Sequence, residues 1–219
     1  MRVGLFITCV NDLMYPRTGR AVVSILERVG VRVEFPQAQT CCGQMHGNSG
    51  HRDAAAPLRK RFGEVFAGFD AVVAPSGSCV AFLRDEYENV YELSEFLVDV
   101  LETDDVGGVF PHKVTYHPTC HGLRLLHLGD KPLRLLANVQ GIELLPLSRA
   151  DECCGFGGTF SVKNPGVSSA MLADKCDAIR DTGAEYLAAA DNSCLSHIGG
   201  GLSRRGGPKA VHYAEILAA

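Results

Sequence analysis

Apolar and polar positions follow two periods along this chain, and the two periods alternate. Short apolar runs rich in β-branched residues, such as residues 3–8 and 71–74, have the length and composition of strands buried on both faces. Between them, residues 17–29 place their apolar side chains on one face of a helix, which Gly30 ends. Alternating strands and helices predict an α/β fold with parallel sheets and right-handed crossovers.

The same reasoning assigns the rest of the chain. Strands are predicted at residues 31–35, 90–93, 114–117, 142–145 and 186–189, and helices at residues 53–69, 80–87, 130–139 and 165–182, with a further helix running to residue 101. The glycine-rich stretches "CGFGG" and "GGGLSRRGG" lack the spacing of a dinucleotide or phosphate loop. We expect both to be flexible loops.

The order of elements starts again near the middle of the chain. The segment "DDVGGVFPH" separates two similar halves, and "VYELSEFLV" near residue 90 is echoed by the terminal "VHYAEILAA". We therefore predict two Rossmann-like half-domains, residues 1–108 and 109–219, each with a parallel sheet flanked by helices.

Composition narrows the class of protein. Of 219 residues, 46% are hydrophobic and 21% charged, and the formal net charge of −4 lacks the basic footprint of a nucleic-acid-binding protein. No apolar run reaches the roughly 18 residues of a transmembrane helix. The N-terminal stretch has no small-residue cleavage site and is expected to be a strand, which favours a cytoplasmic location with reduced thiols.

Nine cysteines change this picture, because an odd number without an export signal favours metal or redox chemistry over disulfides. Eight of them form two sets of matching spacing, with 31 and 32 residues before the paired cysteines and 36 and 39 after them. The sets are Cys9, Cys41, Cys42 and Cys79 in the first half, and Cys120, Cys153, Cys154 and Cys194 in the second. The ninth, Cys176, is predicted to lie in the core.

Each set lies at the carboxyl ends of predicted strands or in the loops that follow, and these ends converge at one edge of a parallel sheet. Adjacent cysteines can face one centre only where the backbone turns sharply, and Gly43 and Gly155 permit such a turn. Four thiolates suit Zn²⁺ or an iron–sulfur cluster. Two neighbouring and two distant thiolates favour the cluster, while zinc stays open.

The repeated Cys…CCG…Cys pattern resembles the cysteine-rich CCG domain family, which includes the cysteine-rich component of heterodisulfide reductase and the iron–sulfur component of glycolate oxidase. The motifs "PSGSC" and "YHPTCH" look most like its lactate utilization branch. The resemblance implies one or two [4Fe–4S] clusters per chain, or zinc in one of the two sites. It also implies electron transfer in a complex that oxidises L-lactate to pyruvate, with a ferredoxin-domain iron–sulfur partner and a third subunit.

Two alternatives come with that resemblance, and a third comes from another class. The chain could be a thiol–disulfide reductase of the heterodisulfide reductase type, a glycolate oxidase subunit, or a zinc-binding scaffold that assembles partner proteins. Ser76 and Asp191 stand where the fullest family pattern has a fifth cysteine. Their side-chain oxygens are candidates for weak ligands or for groups that surround the ligands, and we favour their interpretation as helix N-caps. His117 and His121, which flank Cys120, are candidates for hydrogen bonds to the sulfurs.

Overall fold

The computed structural model describes residues 1–219 and confirms the α/β class. The first half contains β1 (Val3–Leu5), α1 (Cys9–Met14), α2 (Pro16–Arg28), β2 (Val33–Glu34), α3 (Gln44–Asn48), α4 (Arg52–Phe66), β3 (Ala71–Ala74), α5 (Gly77–Arg84), β4 (Val90–Glu92) and α6 (Leu93–Glu95). One π-helical turn, Phe96–Val100, continues α6.

The second half repeats this order. It contains β5 (Lys113–His117), α7 (Cys120–Arg124), α8 (Lys131–Ala137), β6 (Glu143–Leu145), α9 (Thr159–Lys163), α10 (Pro165–Arg180), β7 (Tyr186–Ala189), α11 (Asn192–Arg205), β8 (Lys209–His212) and α12 (Tyr213–Leu217). No helix is both long and apolar enough to cross a membrane.

The two sheets have the same topology. Their strand orders are β2-β1-β3-β4 and β6-β5-β7-β8, and every pairing is parallel. The central strands β3 and β7 are almost wholly buried, because helices cover both faces of each sheet. In each sheet the first strand lies beside the third, so the loop after the first strand and the loop after the third meet at one edge.

The halves share one hydrophobic core. Its largest cluster of buried side chains contains Leu26 from α2, Phe96 from the π-helical turn, Leu135 from α8 and Ile216 from α12. The final helix of each half packs against the other half: α12 contacts α2, and α6 contacts α8. Each half therefore completes the apolar covering of its counterpart.

One expected loop is wrong. The segment "GGGLSRRGG" lies largely within α11, which runs to Arg205 and ends at Gly206 with a left-handed φ of 68°. Its glycines serve close packing: a Cβ at Gly201 would lie 2.8 Å from the sulfur of Cys176. A glycine-rich composition, which is typical of loops, here belongs to a helix that packs closely against α10.

Candidate metal centres

Cys9 and Cys120 are the first residues of the short helices α1 and α7. The sequence placed them at strand ends, and the structure corrects this by a few residues, because a turn follows each first strand before its helix begins. The preceding residues, Thr8 and Thr119, have positive φ values of 69° and 60°. With ψ near 147° and 149°, both lie close to a region that only glycine adopts readily. This repeated strained turn sets the direction of each cysteine.

The four cysteines of the first half come together. The sulfur of Cys9 lies 3.5 Å from that of Cys41, and the sulfur of Cys42 lies 3.2 Å from that of Cys79. Cys42 and Cys79 are buried, whereas Cys9 is exposed and Cys41 half-buried. Thiol hydrogen bonds from Cys42 and Cys9 lower the pKa of Cys41.

The paired cysteines are turned by the glycine that follows them. Gly43 and Gly155 have φ values of 89° and 87°, and each donates its N–H to the sulfur two residues earlier, Cys41 or Cys153, at 3.4 Å. A Cβ at Gly155 would lie 2.6 Å from the carbonyl oxygen of Ser168 on α10. Glycine is therefore needed both for the turn and for the close helix behind it.

The second half repeats this arrangement with one difference. Cys153 receives hydrogen bonds from Cys120 and Cys154, which lower its pKa, and Cys154 contacts Cys194 in turn. The ligand atoms of Cys154, Cys194 and His117 lie within 4.8 Å of one another. A ring nitrogen thus joins the thiols here.

His117 is the last residue of β5 and is 1% exposed. Neither ring nitrogen has a hydrogen-bond partner, and burial lowers the pKa of His117 to about 4. The side chain of His121 contacts the first half instead, where the side-chain amide nitrogen of Gln44 lies 3.3 Å from its Nε2. The sequence suggested the same role for both histidines. In the structure only His117 lies with the sulfurs of Cys154 and Cys194, while His121 contacts Gln44.

A buried cation near the second centre was missed. Lys175 on α10 is 1% exposed, and its Nζ donates to the carbonyl oxygen of Arg149 at 2.7 Å. Burial lowers the pKa of Lys175, while the charges of Glu152 and Cys154 act in the opposite direction. The only signal in the sequence was a lysine beside the core residue Cys176.

Ser76 and Asp191 are N-caps, as expected. Ser76 Oγ accepts from the Cys79 N–H at 3.4 Å, and Asp191 Oδ1 accepts from the Ser193 N–H at 3.1 Å. Hydrogen bonding at a helix start explains both positions without a role as metal ligand. Cys176 is fully buried with Ile179 and Leu202, as predicted.

The two cysteine edges are neighbours. Besides the contact of Gln44 with His121, the hydroxyl groups of Ser49 and Thr159 lie 3.2 Å apart, which joins the segments after the two CCG motifs. The centres therefore belong to one continuous side of the molecule.

The donor sets fit metal binding. Each half offers four cysteine sulfurs with no carboxylate among them, which suits soft or borderline metals. The sulfur–sulfur contacts of 3.2 and 3.5 Å are slightly shorter than the separation of about 3.7 Å between thiolates around a tetrahedral ion. A partnerless buried imidazole at the second set is a further potential nitrogen donor.

Family comparison agrees with this duplicated geometry. The model of a cysteine-rich domain, CCG, matches twice, at residues 3–84 and 114–199. The chain belongs to the CCG cysteine-rich domain family. Each match begins at the first strand of a sheet and includes all four cysteines of its set.

Several named proteins are similar to this chain over nearly their whole length. The chain is 47% identical to lactate utilization protein A of Geobacillus kaustophilus, over 99% of this chain and 98% of that protein. It is 46% identical to the protein of that name from an Exiguobacterium species, over 98% and 96%, and 42% identical to that of Bacillus licheniformis, over 99% of each.

Solved structures give a weaker likeness. Picrophilus torridus aspartate racemase aligns over all of this chain and 91% of its own, with a TM-score of 0.42 and 12% identity. Francisella tularensis glutamate racemase aligns with a TM-score of 0.39 and 10% identity, over 99% of this chain and 77% of its own.

Proposed function

We propose that this chain is an iron–sulfur subunit of a complex that oxidises L-lactate to pyruvate, and that it passes electrons between partner subunits. The observation that carries the proposal is the gathering of eight cysteines into two matching sets at one side of the molecule. The names of the similar proteins support the link to lactate.

In this proposal each set of four cysteines holds one metal centre, and a [4Fe–4S] cluster supplies one-electron transfer when bound. The chain's own groups prepare for negative charge on sulfur. The N–H groups of Gly43 and Gly155 donate to Cys41 and Cys153, which stabilises thiolate and favours the reduced state of a bound cluster. Buried Cys42 and Cys154 hold their side of each centre away from water.

Partners are part of the proposal, namely a ferredoxin-domain iron–sulfur subunit and a third subunit. Large apolar side chains are exposed on the short helices that accompany the cysteine loops, where a docking protein would cover them and the centres together. They are Leu13 and Met14 on α1, Met45 on α3, Leu123 on α7 and Val162 on α9. Nine free thiols fit a reducing compartment, and we place the complex in the cytoplasm.

A zinc-binding scaffold is the second candidate, because the close sulfur contacts suit a single tetrahedral ion. A thiol–disulfide reductase is less favoured, since Ser76 and Asp191 are helix caps at the positions of the missing fifth thiolates.

Anaerobic purification separates these functions. The electron-transfer subunit should contain iron and sulfide in equal amounts and be brown. L-lactate should bleach this colour in the assembled complex, and oxidation by air should remove the colour together with the iron and sulfide. A colourless protein that contains zinc alone would leave the scaffold. The control is the variant Cys176→Ala, whose missing sulfur lies in the core.

A further inference from the structure

We propose that His117 is a metal ligand of the second centre, through one ring nitrogen, so that the two centres of this chain have different ligand sets. This inference rests on the proposed function, since it requires a metal at the second set of cysteines. It concerns a residue that no cysteine pattern identifies.

The position and burial of the His117 ring are the first evidence for this role. The imidazole of His117 is 1% exposed, and a ring nitrogen lies within 4.8 Å of the sulfurs of Cys154 and Cys194. Both nitrogens lack a hydrogen-bond partner, which is costly for a buried ring because it loses its bonds to water without replacing them. A metal held by those sulfurs would give the ring the partner it lacks.

Other groups near the ring are already engaged. The ammonium group of Lys175 donates to the carbonyl oxygen of Arg149, and the Asp191 carboxylate accepts from Ser76, Ser78 and Ser193. Neither group is a hydrogen-bond partner of His117, and the sulfurs of Cys154 and Cys194 lie within 4.8 Å of a ring nitrogen.

The first half supplies an internal control. Phe6 lies three residues before Cys9, as His117 lies three residues before Cys120. Phe6 directly follows β1 and still donates its N–H to the Val73 carbonyl oxygen of the third strand, while His117 is the last residue of β5. Phe6 is fully buried and packs edge-on against Phe62 and Phe66, with ring centroids 5.1 and 5.8 Å away. An apolar ring is therefore enough to fill this buried position. We infer that packing alone does not explain the imidazole nitrogens of His117.

The chemistry of imidazole and thiolate ligands indicates which metals the second centre would bind. Imidazole with thiolates suits Zn²⁺ or an iron ion of a cluster, whereas sulfur alone surrounds the first centre. When histidine replaces thiolate on a cluster iron, the reduction potential rises. The second centre would therefore either be the zinc site of the chain or accept electrons more readily than the first.

The test begins with the unaltered full-length protein, purified anaerobically after growth on ¹⁵N-histidine. If iron fills the second centre, pulsed EPR of the reduced protein should show a ¹⁵N coupling. If zinc fills it, zinc-edge absorption should show the outer-shell scattering of an imidazole ring. The variant His117→Phe should lose whichever signal is present, together with metal affinity, while the control His112→Phe, at a half-buried histidine paired with Glu185, keeps both.

The outcomes distinguish the two proposals. Metal at the second centre with neither nitrogen coupling nor imidazole scattering would overturn the role of His117 and leave the proposed function intact. A chain that binds no metal at either set of cysteines would overturn both. Because the spectra are taken first on the natural sequence, misfolding of His117→Phe cannot imitate the negative result.

Discussion

Ser76 Oγ donates a hydrogen bond to Asp191 Oδ2 at 3.1 Å, and this bond joins the caps of two helices from opposite halves. The same carboxylate accepts from the N–H groups of Ser78 and Ser193, at 3.0 and 3.1 Å. Although burial opposes it, these hydrogen bonds lower the pKa of Asp191. One buried carboxylate thus holds the starts of α5 and α11, the helices that carry Cys79 and Cys194.

Replacing this carboxylate should therefore destabilise the whole molecule. Asp191→Ala leaves buried N–H groups of Ser78 and Ser193 without acceptors, and we expect a loss of about 3 kcal/mol in the free energy of unfolding. Urea titration of both proteins measures it.

Two matched variants sharpen this prediction. Asp191→Asn keeps the shape but turns one oxygen into a donor that faces other donors, and it should lose nearly as much. Ser76→Ala removes a single neutral hydroxyl and should cost about 1 kcal/mol. If Asp191→Ala loses no more free energy of unfolding than Ser76→Ala, the hydrogen bonds of the Asp191 carboxylate to the starts of α5 and α11 do not stabilise the protein.

Cysteine substitutions should divide into two groups. Cys41→Ala and Cys154→Ala each remove one of the paired cysteine sulfurs of one set, and we expect each to lose the metal of its own half. Cys176→Ala removes a buried sulfur that touches α11, so it should keep its metal and lose about 1 kcal/mol of stability through the cavity. Metal analysis of all three proteins checks the division, and loss of metal in Cys176→Ala would contradict it.

Glu92 should make stability depend on pH. It is fully buried, accepts from Tyr213 at 2.7 Å across the halves, and burial raises its pKa to about 7. In the unfolded chain its pKa returns to about 4.3, so between pH 4.3 and 7 the folded state binds the extra proton. Its contribution to the free energy of unfolding is therefore present below that window and falls as pH rises through it, by about 4 kcal/mol in all.

Glu92→Gln removes this titration and keeps an acceptor for Tyr213. Relative to the unaltered protein, the variant should gain stability steadily from pH 5 to pH 7, in urea titrations at each pH. A constant difference between the two proteins would show that Glu92 does not titrate in this range.

The strained threonines give a paired test. Thr8→Gly removes the side chain from a positive-φ residue, and we expect a gain of up to about 1 kcal/mol after the entropy of glycine is subtracted. Thr119→Gly relieves similar strain but loses the hydroxyl that accepts from the Gly122 N–H, so it should be less stable than Thr8→Gly by about 1 kcal/mol. Equal effects in thermal unfolding would argue against the cap.

Much of the fold was predictable because its strands are apolar and its repeats regular. Residues 71–74 and 186–189 were assigned as strands with the bounds that the structure has. The error at residues 199–207 came from composition, since glycine usually marks loops. The reason for glycine there, close contact with Cys176, depends on a helix distant in sequence.

The sites were predictable only as far as spacing repeats. Matching intervals grouped the eight cysteines that the structure brings together, and cap positions explained Ser76 and Asp191 separately. The bond between those two residues, the left-handed backbone of Thr8 and the burial of Lys175 are properties of packed halves. No local pattern encodes such properties, because each depends on residues that are remote along the chain.

The exchange of final helices between the halves has a consequence for how such a duplicated protein can change. Because α12 covers α2 while α6 covers α8, neither copy can be discarded, duplicated again or replaced without exposing the interior of its twin. A change of one side chain, as between Phe6 and His117, leaves this shared covering in place. A ring that is phenyl in one copy and imidazole in the other shows that the copies have diverged in chemistry while their architecture stayed the same.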